Sequence, residues 1–80
     1  MIGDQTAHRL RLIRNAGLQK VRKAAAACGR QDVGRDIQVL RDVANGSTPQ
    51  AAAKNNMSES TVRHIIKRYA QIAEKILSGR

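Results

Sequence analysis

The 80-residue chain reads as an all-α protein built from four to five helices, with a long basic helix first and a long apolar-striped helix last. Three observations carry that reading. Apolar residues recur at three- and four-residue steps in the long segments, whereas β-branched residues never alternate with polar ones as a half-buried strand requires. Proline occurs once, at Pro49, so little interrupts helical continuity. The periodic segments are separated by Gly29, Asn45-Gly46 and Asn55-Asn56, the residue types that end helices or reverse the chain.

The first helix is expected from Asp4 to about Cys28, with Gly29 as its stop. Leu10, Ile13, Gly17, Val21, Ala24 and Cys28 form its apolar stripe, and Cys28 on this alanine-rich face reads as a small core residue. Gly17 weakens a helix interior by about 1 kcal/mol relative to alanine, so a break near Asn15-Ala16-Gly17 into two helices is the alternative. The next helix follows Asp32, read as its cap, and carries Val33, Ile37, Val39, Leu40, Val43 and Ala44. Thr48 is read as the cap of a short helix to Lys54 with Pro49 in its first turn, where a missing N–H is harmless. The last helix starts after Ser58 and runs to Leu77 or Ser78, with Val62, Ile66, Tyr69, Ala73 and Ile76 stepping by 4, 3, 4 and 3.

Eighty residues make a single domain, a basic helical segment 1–31 joined to a core 32–80. Its core must be thin, because there is no Trp or Phe and one Tyr. A second copy would add apolar burial, and the distal stripe of Tyr69, Ile72, Ala73, Ile76 and Leu77 is the expected homodimer interface. The net charge of +9, from 15 Lys and Arg against 6 Asp and Glu, points to a polyanionic partner. Within residues 1–31 seven cations (Arg9, Arg11, Arg14, Lys20, Arg22, Lys23, Arg30) face Asp4 alone. No apolar run approaches the roughly 20 residues that span a bilayer, and the amino end lacks the apolar stretch of a secretory signal. With Cys28 as the single cysteine, a cytoplasmic, nucleoid-associated protein without internal disulfides is expected.

The most specific stretch is TPQAAAKNNMSESTVRHI, residues 48–65. Ala52 offers the small contact that two crossing helices need. Asn55-Asn56 offers a sharp reversal, since Asn tolerates the left-handed conformation. Met57, Val62 and Ile65 hold the second helix down, and Ser58 caps it. Together these describe a helix-turn-helix. The longer stretch RDIQVLRDVANGSTPQAAAKNNMSESTV, residues 35–62, resembles the DNA-binding domain of LuxR-type response regulators and sigma-factor region four. Arg35, Val39, Leu40, Ala44, Gly46, Ala52, Ser58, Thr61 and Val62 carry the likeness in order and spacing. Ala51 and Asn55 depart from it, standing where those families have larger apolar residues.

In a helix-turn-helix the second helix faces base edges while phosphate contacts position it. With Val62 and Ile65 turned inward, helical geometry exposes Glu59, Ser60, Arg63, His64 and Lys67. Arg63 is the expected base reader, because its planar fork matches guanine O6 and N7. Ser60 and His64 are secondary readers, and Glu59 serves either cytosine N4 or the helix dipole. Thr48, Gln50, Ser58, Thr61, Lys67 and Arg68 suit phosphates, the first two at a helix amino end.

Catalysis is not expected. The carboxylates are scattered, His8 and His64 lie far apart, and one cysteine completes no zinc site, so no cofactor or metal is expected either. The resulting expectation is a homodimeric, sequence-specific repressor on duplex DNA, suited to a phage, plasmid or bacterial regulator. RNA polymerase is a second candidate partner. The rival readings are an architectural binder indifferent to sequence and a small protein-interaction module acting on polymerase or another regulator.

Overall fold

A computed structural model describes the backbone of residues 2–79 and the side chains of residues 5–79. The described residues form five helices and no strand: α1 (Ile2–Ala16), α2 (Leu18–Ala27), α3 (Val33–Asn45), α4 (Thr48–Lys54) and α5 (Glu59–Ser78). The long first helix is therefore two. Gly17 sits between them at φ +95°, a region that side chains with a Cβ rarely enter. Its N–H still donates to the Ile13 carbonyl and its own carbonyl accepts from the Val21 N–H, both at 3.0 Å, so the break orphans neither group. Gly17→Ala consequently destabilises the domain by about 1–2 kcal/mol, the cost of a left-handed alanine. A continuous helix would instead gain about 1 kcal/mol from the same change. Urea denaturation followed by circular dichroism reads the sign, and a gain would refute the break.

Two helix caps, one that replaces the expected residue and one that confirms it, share one backbone reason. Ser47 and Ser58 both have extended backbones (φ −144°, ψ 168° and φ −79°, ψ 158°), which aim the hydroxyl at the open end of the helix. Ser47 Oγ accepts from the Gln50 N–H at 3.4 Å, so Ser47 and not Thr48 caps α4, and Thr48 is its first helical residue. Ser58 Oγ accepts from the Thr61 N–H at 3.2 Å, as read. Asp32 occupies the cap position of α3 with ψ at 38°, and its carboxylate makes no cap bond. It lies instead 3.9 Å from the Arg35 guanidinium.

The core lies around α5, which every other helix touches. Val62, Ile66 and Tyr69 are buried on it, against Ile13 and Ala16 of α1, Val21 and Ala25 of α2, and Ile37, Leu40 and Val43 of α3. Folding back at Gly17 lets α1 pack along α5 more extensively than any other pair of helices does. This corrects the expected dimer stripe. Tyr69 and Ala73 are wholly covered by the chain's own helices and cannot meet a second copy. Ile72 and Ile76 pack partly on the same core, leaving Leu77 as the one large apolar residue that is exposed among those described. The periodicity identified an apolar face correctly, and α1 is what covers it.

Cys28 is also displaced from expectation. Because α2 ends at Ala27, Cys28 falls in the turn that follows and is exposed. Ala44, on the solvent side of the last turn of α3, is exposed as well. Asp36 is the one buried charged residue among those described. Tyr69 Oη donates to its Oδ2 at 2.8 Å, and Arg35 Nη2 and Nε donate to Oδ1 at 3.1 and 3.3 Å, so both carboxylate oxygens are satisfied. The Arg30 guanidinium stands 5.9 Å from the Tyr69 ring centre. Burial, and then the Asp36 carboxylate beside it, push the Tyr69 hydroxyl well above its ordinary pKa. Among the described residues no helix is long and apolar enough to cross a membrane.

Candidate nucleic-acid interface

The turn between α4 and α5 is made by the two asparagines. Asn55 ends α4, its N–H donating to the Ala51 carbonyl at 3.0 Å, and Asn56 takes the left-handed conformation at φ 56°. The Met57 N–H then donates back to the Ala52 carbonyl at 3.0 Å, which closes the turn. Ala51 and Ala52 are buried, which lets α4 lie close against its neighbours. Val62 and Ile65 are buried on the inner side of α5, and Met57 packs partly against the same core.

Asn55 does more than turn the chain. Its amide donates to Asp42 Oδ2 at 2.9 Å and to the Ala51 carbonyl at 2.8 Å, joining α4 to α3. That hydrogen bond holds the Asp42 carboxyl below its ordinary pKa of 3.8, with Gln38 and Lys54 acting in the same direction. The tie between α4 and α3 at this position is polar. The signal was available: an asparagine on an inward-facing position asks for a partner, and Asp42 lies one turn before the end of α3.

The outer face of α5 presents Glu59, Ser60, Arg63, His64, Lys67 and Arg68, all exposed. Arg63 Nη1 lies 3.7 Å from Glu59 Oε1, with both side chains about half exposed at 49% and 51%. An exposed i, i+4 pair of this kind is worth only about 0.3–0.5 kcal/mol, so Arg63 is nearly free to leave it for a base edge. Ser58 and Thr61 are exposed, but their hydroxyls already share a 2.9 Å hydrogen bond. Thr48 is half-buried at the start of α4, and Gln50 is exposed two residues on. The expected DNA-facing residues thus fall on two adjoining surfaces, the start and outer side of α5 and the amino end of α4. Three cations (Arg63, Lys67 and Arg68) against one carboxylate on the α5 face give that surface a positive field.

A short helix, a tight left-handed turn and a second helix with a cationic outer face define a helix-turn-helix domain, the class of module that binds DNA. Residues 37–74, from the first turns of α3 to the later turns of α5, match the model of the homeodomain-like domain. No curated protein matches the chain, and no solved structure does.

Proposed function

We propose that the protein is a transcriptional regulator that binds a specific duplex DNA site with α5 in the major groove and acts by occupying a promoter. The observation that carries this reading is the exposed row Ser60, Arg63, His64 and Lys67 at the start of a helix held down by Val62 and Ile65. Arg63 reads a guanine, Ser60 and His64 read its neighbours, and Lys67, Arg68, Thr48 and Gln50 hold phosphates. The likeness to LuxR-type and sigma-factor region four domains in residues 35–62 is consistent with such a role. On an inverted repeat two copies would meet at the strip of Ile72, Ile76 and Leu77 that lies outside the buried core. Such occupation excludes RNA polymerase from the promoter, and no step of it requires catalysis.

The test begins with fragment enrichment from sheared DNA at about 150 mM salt, where purely electrostatic binding is reduced. Arg63→Ala should cost about 1–3 kcal/mol on the enriched site and relax preference at one base pair. Lys67→Ala should weaken specific and random DNA alike and flatten the salt dependence by about one unit. If Arg63→Ala lowers specific and random binding equally, base readout by α5 is wrong.

A further inference from the structure

A cleft between α1 and the last turns of α3 is lined by Arg11, Arg14, Arg41 and Asn45 around Leu10 and Leu18. Arg11 and Arg14 lie one turn apart on α1 and Arg41 on α3; all three are exposed and make no ion pair with a carboxylate of the described residues. Among the described residues no acidic one lines the cleft. The fold brings Arg41 of α3 to the cleft that Arg11 and Arg14 of α1 already line, an arrangement that mutual repulsion disfavours unless an anion offsets it.

The floor of the cleft says what kind of partner suits it. Ile13, Leu40 and Val43 are already closed off by the chain itself, at 3%, 2% and 5% exposure, and Leu10 and Leu18 are partly covered. The apolar lining that remains is modest in area, and three exposed guanidinium groups rim it. A second copy of the chain, itself at +9, is repelled from such a place. The position of the cleft points the same way. Arg41 lies one helical turn, about 6 Å, before Asn45, and the chain passes directly from Asn45 through Gly46 and Ser47 to Thr48 and the amino end of α4. Asn45 lines both this cleft and the neighbouring groove that holds Gln50, so the cleft adjoins the surface at the amino end of α4.

We infer that Arg11, Arg14 and Arg41 form a second phosphate-binding track, which grips the DNA backbone beside the segment engaged by the helix-turn-helix. This inference rests on the duplex-binding reading above and gives α1 a role within it. The track adds affinity and footprint without adding base preference.

The test compares two triple variants of equal charge. Arg11→Ala/Arg14→Ala/Arg41→Ala removes the track, and Lys20→Ala/Arg22→Ala/Lys23→Ala removes three exposed cations of α2 that do not line the cleft. Binding to a labelled 30-base-pair duplex is measured by anisotropy across a salt series. The cleft variant is expected to flatten the slope of log Kobs against log salt by about 2–3 units, since each phosphate contact contributes about 0.9. The α2 variant should leave it close to that of the parent, and lysine at all three cleft positions should restore most of it. Equal flattening by both alanine variants would overturn the track in favour of net charge alone. An unchanged slope in the cleft variant, while Lys67→Ala still flattens it, would overturn the track and leave the helix-turn-helix reading intact. Failure of the parent chain to bind the duplex at all would remove both.

Discussion

Tyr69→Ala lowers the unfolding free energy by about 3–5 kcal/mol, the usual cost of deleting a large buried ring. A domain of this length holds roughly 4–12 kcal/mol in total, so the variant is largely unfolded at 37 °C or close to it. The size of the effect follows from position. Tyr69 is the one aromatic residue of the chain, is wholly buried where α1, α2 and α3 meet α5, and is the donor that satisfies one oxygen of the buried Asp36. Tyr69→Phe separates the two contributions, keeping the ring and leaving that oxygen without its donor, at about 1–3 kcal/mol.

The same hydroxyl makes stability fall at high pH. Its folded pKa is raised above the unfolded 10.0, so the folded state holds the phenolic proton after the unfolded chain has released it. The contribution is complete below pH 10, and declines as pH rises from 10 toward the folded value. Urea titrations at pH 7, 9 and 11 should show an alkaline loss in the parent that Tyr69→Phe lacks in part. Parallel pH profiles for the two proteins would mean that the buried hydroxyl is not the titrating group.

The Tyr69 stripe also marks the boundary of what the sequence discloses. A 4-3-4-3 spacing states that a face is apolar, and says nothing of whether the cover is another copy or another part of the chain. That depended on Gly17, whose φ of +95° turns one basic helix into two and returns α1 onto α5. The same limit hid the buried acid. Asp36 and Tyr69 are 33 positions apart, and neither advertises a partner in its own helix. Features confined to a few adjacent residues were legible: the Asn55-Asn56 reversal, the Ser58 cap, and the inward Val62 and Ile65 that fix which face of α5 is outside. Between these extremes lie the caps at Asp32 and Thr48, where residue type was suggestive and backbone angle decided otherwise. The outward face of α5 was therefore readable, while the assembly around it was not.

Ala52→Leu is expected to weaken duplex binding by more than its loss of folded protein explains. Ala52 is only 5% exposed at the end of α4, and its carbonyl receives the Met57 N–H that closes the turn into α5. A leucine there has no space to enter, so α4 must lift or α5 must tilt. Overpacking of this kind costs about 1–3 kcal/mol in stability. Binding suffers additionally, because Thr48 and Gln50 on α4 and Arg63 on α5 engage one duplex together only while the two helices keep their relative angle. Ala53→Leu, at an exposed neighbouring position of the same helix, serves as the control and should change stability by no more than about 0.5 kcal/mol. Urea denaturation gives the folded fraction of each variant, and anisotropy on the enriched site gives its affinity. Should Ala52→Leu bind as tightly as the parent once corrected for that fraction, the α4–α5 contact would be shown to carry stability alone, and α5 would be reading DNA without help from the amino end of α4.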